Sequence, residues 1–360
     1  MKRRLIGVTA AVLGTVLLSG VGLEKVAAAD PVPTTVMLPL FGAPLQFTIT
    51  SGPGGALADV SVDPATGVTA TQLRPHKVVF EVANTTDPTA PGKVSVRSKH
   101  GGQSVSTRAG SLADVSGAGS WSGDVFGTGT ATTVNFTIGD DGSGGPDITG
   151  VTSDDATADI GTTQHSTETN DEGGTEASAR AKVTFTNAAG DTSRSLTISA
   201  KVETEADGTT HAKVSVSLGR LKGLAVDAAA AAGPHTWSGV LCDNTAATIT
   251  YDVATDGSVS NVVATPAADR VRAEGGKIEV RFSDKERVRI RVREDNGQIT
   301  INVDERIRCD SPDLTTNAST TSTVADDENE NENEAPEAGG HHGGHNDDDQ
   351  TSTSAPVAGG

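Results

Sequence analysis

RVRIRVREDNGQITINVDE, residues 287–305, decides the fold. Val288, Ile290 and Val292 alternate with Arg289, Arg291 and Arg293, which is the two-residue period of a half-buried strand. Asn296-Gly297 is a favoured pair for a two-residue type I′ turn, where both central residues need a positive φ. Such a loop sets Asp295 opposite Gln298. Counting outward, Val292 faces Ile301 and Ile290 faces Val303, while Arg291 meets Asn302 and Arg289 meets Asp304. Apolar meets apolar and polar meets polar, so the segment reads as an antiparallel hairpin with one core face.

The same count applies upstream. SLTISAKVETEADGTTHAKVSVSL, residues 195–218, pairs through a three-residue loop at Asp207-Gly208-Thr209, with Val202 facing Val214, Ala200 facing Val216 and Ile198 facing Leu218. Near the N-terminus a turn at Gly101-Gly102 sets Val96 against Thr107. Helical periodicity is nearly absent, and Thr, Val, Gly, Ser and Asp dominate. Short alternating runs are separated by Gly and Asp turns, the signature of an all-β chain. LAVDAAAAAG, residues 224–233, is helix-friendly and reads as a linker or one short helix.

One word is spelled twice. GSWSGDVFGTGTATTVNFTI begins at Gly119 and HTWSGVLCDNTAATITYDV at His235, and the two tryptophans, Trp121 and Trp237, head it. A Thr-rich strand follows each, ending in Phe136 or Tyr251; APLQFTIT, with Phe47, resembles the same strand. Lys-led strands recur as HKVVFEV, AKVTFTN and GKIEVRF. These matches predict about three imperfect tandem copies of an antiparallel β unit of five or six strands, a small sandwich or half-barrel with its own interior. The expected spans are 30–120, 121–223 and 235–311, with 224–234 as linker. An aromatic at the head of two copies is a core anchor whose indole N–H needs an acceptor. The alternative is a pair of exposed platforms for stacking sugars.

The ends are of a different kind. Lys2, Arg3 and Arg4 precede an uncharged apolar run from Leu5 to Leu23, and Ala27-Ala28-Ala29 fits a cleavage site. Residues 1–29 therefore read as a secretory signal peptide, with no later membrane span. In an exported chain the two cysteines, Cys242 and Cys309, are expected to form a disulfide closing the third copy. Residues 312–360 carry eleven Asp or Glu and no Lys or Arg, a large part of the net charge of −19. Low in large apolar residues, this segment reads as a disordered acidic tail. The acidity argues against nucleic acid as partner.

Candidate chemistry is sparse. Arg287, Arg289, Arg291 and Arg293 share one strand face and Arg281 joins them from the neighbouring strand, a candidate rail for an anionic polymer or for the chain's own acidic tail. Against this stand Glu279, Asp304 and the near-neutrality of the third copy, which suit a solvated face. His341, His342 and His345 with Asp347, Asp348 and Asp349 are weak metal candidates, because glycines leave them unorganised. GDDGSGGPD from Gly139 lacks the spacing of a calcium loop and reads as a hairpin turn. The long acidic stretch around residues 152–180 reads as a mobile loop. No nucleophile elbow, P-loop or dinucleotide fingerprint occurs, and the remaining histidines fall near turns, strand ends or polar loops. The expectation is an exported, non-enzymatic cell-surface or extracellular protein without cofactor, which binds or scaffolds an unknown polymer or protein. The rivals are a carbohydrate- or anionic wall-polymer-binding module and a secreted hydrolase with an unreadable site.

Overall fold

The computed structural model describes residues 32–320 apart from 53, 54, 100, 101, 170–172, 308 and 310–313. The fold is all-β, its main strands pair antiparallel, and one strand order occurs three times. In unit 1, β1 (Thr34–Leu40), β2 (Ala43–Ser51) and β3 (Leu57–Asp63) form a three-strand meander. β4 (Val68–Arg74), β5 (Lys77–Val82), β6 (Gly92–Lys99) and β7 (Gly102–Ala109) form a four-strand one. Unit 2 repeats this with β8 (Gly117–Gly123), β9 (Thr132–Asp140) and β10 (Pro146–Ser153), then β11 (Asp159–Ile160) and β12 (Gln164–Thr169) on β13 (Thr175–Thr186), followed by β14 (Thr192–Thr204) and β15 (Thr210–Leu218). A connector holds β16 (Lys222–Gly223), β17 (Val226–Asp227) and the one-turn helix α1 (Ala228–Ala231), whose amides Asp227 caps. Unit 3 runs β18 (Gly233–Val240), β19 (Ala246–Val253) and β20 (Val259–Thr265), then β21 (Arg270–Glu274), β22 (Lys277–Ser283), β23 (Glu286–Asp295) and β24 (Gln298–Ile307). β25 (Ser319–Thr320) closes the described chain. Each unit thus has seven main strands rather than five or six. The three Lys-led segments are all the second strand of a four-strand meander.

The interiors are not separate, which corrects the expectation of one core per copy. β1 pairs with β8, and β7 pairs with β15 along seven residues, so both sheets run through units 1 and 2 and enclose one core. Both seams sit on equivalent positions. Val36 faces Phe47 and Gly119 faces Phe136, so Met37 and Ser120 correspond, and these two face each other across β1–β8. By the same count through β5–β6–β7 and β13–β14–β15, Ser104 corresponds to Ser217, and they too are partners. Units 1 and 2 are therefore related by an internal pseudo-two-fold axis, the isologous geometry of a symmetric dimer written within one chain. Unit 3 keeps its own core.

The repeated word now has a physical meaning. Trp121 and Trp237 point inward and are 1% and 3% exposed, which overturns the exposed-platform alternative. In each case the glycine two residues on points to the same face and lies beneath the indole. A Cβ on Gly123 would stand 2.9 Å from Cζ2 of Trp121, and one on Gly239 only 2.4 Å from Cζ2 of Trp237. W-S-G is a ring and the gap it needs. Gly239→Ala is accordingly expected to cost about 1–3 kcal/mol, the usual penalty of overpacking, in urea denaturation. Gly139→Ala, with nothing within 4 Å of the added carbon, is expected to be neutral. Equal stability of the two variants would remove this account of the motif.

Hairpin registers test the sequence reading residue by residue. The β23–β24 ladder runs from Asp295↔Gln298 through Ile290↔Val303, as counted. The β14–β15 ladder is displaced by two residues: Val202 meets Ala212 and Ile198 meets Val216. Its loop is Ala206-Asp207-Gly208, closed by the Glu205 amide on the Thr209 carbonyl at 2.8 Å, and Gly208 has φ +86°. A three-residue loop needs its left-handed residue last, so the glycine belongs at the end, not the middle. In β6–β7, Lys99 pairs with Gly102, which brings Val96 against Val105 instead of Thr107 and matches apolar with apolar.

Two segments are more ordered than their composition suggests. Much of the acidic stretch expected to be a loop forms β11, β12 and the first half of β13, in which Gln164–Thr169 pair residue by residue with Thr175–Arg180. Its Thr-rich alternation suits a ribbon with both faces in water. Leu314–Thr320, assigned from composition to the tail, return to unit 1. The Val60 amide donates to the Thr315 carbonyl at 3.1 Å, Asn317 bonds both the amide and the carbonyl of Val62, β25 pairs with β4, and Ala318 enters the shared core. The docking uses backbone groups and one amide side chain, so it needs little apolar content. It covers edge groups of β3 and β4 that would otherwise lack partners.

Candidate anion-binding face

The outward positions of β21–β24 are the candidate site, and strand register assembles it. Arg270, Arg281, Arg287 and Arg306 lie directly opposite one another, one from each strand, forming an unbroken row of four. The next row is Arg272, Glu279, Arg289 and Asp304; the third is Glu274, Lys277, Arg291 and Asn302, and Arg293 stands beyond it on β23. Of the five arginines expected on this face, all five are there. Sequence reading missed Arg270, Arg272, Lys277 and Arg306. The hairpin count carried two pairs further places Arg306 against Arg287, so that signal was present.

Charge on the face is only partly matched. Glu279 accepts from Arg289 Nε at 3.1 Å and lies 3.8 Å from Arg287. Arg306 is 3.4 Å from Asp304, and Arg281 bonds Asp284 in the following turn. Arg270, Arg272, Arg291 and Arg293 are exposed and form no ion pair with any described residue. The near-neutrality of unit 3 hides a separation. Asp243 and Asp256 lie in turns, where hydrogen bonds from Thr245 and Ser258 hold their carboxyls below the usual range, and Glu286 and Glu305 turn inward. Like charges directly opposite cost stability in a sheet, so a four-arginine row is not what packing alone would select.

Inside unit 3 the other singled-out residues are structural. Trp237 Nε1 donates to Glu305 Oε1 at 2.8 Å, the acceptor that a buried indole requires. The structure joins Cys242 to Cys309 with Cα atoms 5.0 Å apart, each lying just past a strand end, at β18 and β24 respectively. The bond ties the two sheets of the unit, and Glu286 supports it by accepting the Cys242 amide at 2.6 Å. His235, one of the histidines expected near turns, strand ends or polar loops, lies near the start of β18, where it is buried and stacked on Tyr251 with ring centroids 5.5 Å apart. Burial pushes the Tyr251 phenol up. His235 and Asp191 are the polar members of a small apolar cleft where unit 2 meets unit 3.

Arg194 lies beside the same junction, within electrostatic reach of Glu305, and its hydrogen bonds are made inside unit 2. It is largely buried, with Nε on the Gly219 carbonyl at 2.7 Å and Nη1 on the Val125 carbonyl at 2.8 Å. Burial lowers its guanidinium to about 10, against the pull of Asp124 and Glu305. Gly223 pairs with Thr192 of β14 and donates to Asn302 of β24; no side chain fits there, because a Cβ would sit 2.0 Å from the Ile301 carbonyl oxygen.

GDDGSGGPD forms the β9–β10 turn, with Asp140 and Asp141 accepting from Gly142, Ser143, Gly144 and Gly145 amides, so their oxygens face inward rather than toward an ion. Among the described residues no cluster of three or more His, Cys, Asp or Glu is placed to hold a metal. His341, His342, His345, Asp347, Asp348 and Asp349 lie outside the described residues, as do residues 1–29, which the sequence reading assigns to a signal peptide. No described helix is long and apolar enough to cross a membrane. The chain matches no protein-family model, no curated protein and no solved structure.

Proposed function

We propose that the protein is exported and acts at or outside the cell surface as a non-enzymatic binding or scaffolding protein, working through the outer faces of its sheets. The observation that carries this reading is the fusion of units 1 and 2. It makes one continuous outer surface on which Lys93, Arg108, Lys213 and Lys201 form one cross-strand row and Ser95, Ser106, Ser215 and Ser199 the next. These rows are polar and lie on a continuous sheet, suited to lying along an extended hydrated partner rather than enclosing a small substrate. The Cys242–Cys309 bond is compatible with an oxidising location.

Fractionation tests it. Expressed with its own N-terminus, the chain is expected in the medium or envelope, beginning at Asp30 by N-terminal sequencing and blocked to thiol reagents until reduced. Retention in the cytosol with two free thiols would sink the proposal.

A further inference from the structure

We infer that the outward face of β21–β24 is a binding site for a linear polyanion bearing carboxylate or phosphodiester groups. The inference rests on the proposed extracellular binding role and adds the place and the chemistry.

Three features point this way. The first is surplus: the three rows and Arg293 bring together nine cations and three carboxylates, Asp284 and Asp295 stand at the margin, and none of these carboxylates forms an ion pair with Arg270, Arg272, Arg291 or Arg293. The second is residue type. Eight of the nine cations are arginine, the side chain whose planar fork binds carboxylate and phosphate through two parallel hydrogen bonds and is weakly hydrated. A face selected only for solubility has no need of that geometry. The third is spacing. Arg287, Arg289, Arg291 and Arg293 recur along β23 at about 6.5–7 Å, and the four-arginine row crosses it at about 4.8 Å per strand. This is a two-dimensional grid of donors held by backbone pairing rather than by mobile loops, and it offers an extended polymer several contacts at once.

The serine and lysine rows of units 1 and 2 differ in kind. Lys201 there is held by Glu176 at 2.7 Å and lies 3.9 Å from Glu203. The arginine face is therefore the stronger polyanion site of the two.

The test uses the full-length disulfide-bonded protein on three immobilised polymers: polygalacturonate (carboxylate), poly(glycerol phosphate) (phosphodiester) and uncharged dextran. Retention is expected on one or both charged polymers at about 0.05 M salt, to fall steeply by about 0.5 M, and to be absent on dextran. Which charged polymer retains the protein tells carboxylate from phosphodiester recognition. Arg291→Glu with Arg293→Glu is expected to weaken retention at least about tenfold. Arg180→Glu with Lys182→Glu, on β13 of unit 2, makes the same change in net charge away from the face and is expected to leave retention within about twofold. Equal loss in both variants, or no loss in the first, overturns the inference. So does binding to neither charged polymer. If the protein is exported and holds envelope material through other residues, only this inference falls; if it is never exported, the role beneath it falls too. Circular dichroism of both variants separates misfolding from lost binding.

Discussion

Trp121→Ala is expected to lower the unfolding free energy of units 1 and 2 by about 3–5 kcal/mol, the range for deleting a buried indole from a core. The side chain is 1% exposed, so almost nothing is regained from solvent. Its surroundings leave little room to collapse. Val134 faces it on one side and Val36 on the other, and Gly123 beneath has no side chain to move in. Because Val36 belongs to unit 1, the loss reaches across the β1–β8 seam, and both units are expected to unfold in one shared transition at lower urea. The chain supplies its own reporters: of two tryptophans, one lies in each core. Trp237 fluorescence in the Trp121→Ala variant follows unit 3, while far-UV circular dichroism follows the whole. The first component should move to lower urea and the Trp237 transition should stay near its wild-type midpoint. A separate early transition for unit 1 or unit 2 alone would contradict the shared core.

Where the sequence carried a local code, it could be read to the residue. The Asn296-Gly297 turn fixes its own register, and alternation on both sides allows one solution. The tryptophan-serine-glycine word pointed to equivalent core positions, though not to why the glycine is there. That needed the indole lying over it. The seams between units were not legible, because β1–β8 and β7–β15 join strands with no turn between them to set register. Nothing in GAGSWSG marks it as an interior rather than an edge strand. Unit 1 concealed its kinship for a related reason. Leu38 takes the place of the tryptophan, since Leu38 faces Leu45 as Trp121 faces Val134. The return of Leu314–Thr320 escaped because composition measures apolar content, and this segment docks by hydrogen bonds.

The arginine face was half legible for a physical reason. The arginines on one strand announce themselves by alternation, but the row across strands exists only after four registers are known. Arg270 and Arg272 stand on β21, a five-residue edge strand exposed throughout, whose alternation with Val271 and Ala273 is too short to mark a strand by itself. Their contribution changes the meaning of the face. Five arginines facing Glu279 and Asp304 would be an ordinary solvated surface, whereas nine cations against the three carboxylates of the rows, with Asp284 taken up by Arg281, leave the excess of positive charge on which the proposed site rests.

Breaking the Cys242–Cys309 bond should act on unit 3 and leave the fused pair alone. The cysteines are 67 positions apart, and in the chain-entropy picture opening a loop of that length costs about 4 kcal/mol of stability. The bond encloses β19 to β24 and is anchored at both sheets, while units 1 and 2 lie wholly outside the loop. Cys242→Ser with Cys309→Ser is therefore expected to shift the urea midpoint reported by Trp237 downward and to leave that reported by Trp121 nearly unchanged, each followed with the other tryptophan replaced by phenylalanine. Reductant added to the wild type should reproduce the shift. Glu286 sharpens the expectation. It is buried and accepts from the Cys242 amide and the Ser283 hydroxyl, so slackening of the Cys242 turn removes one partner from a buried carboxylate and adds to the loss. If the Trp121 midpoint falls by the same amount, the Gly223 contacts with β14 and β24 couple the cores into one cooperative body and the independence of unit 3 is refuted. If neither midpoint moves, the β23–β24 hairpin and the Trp237–Glu305 bond hold the unit closed without the cross-link.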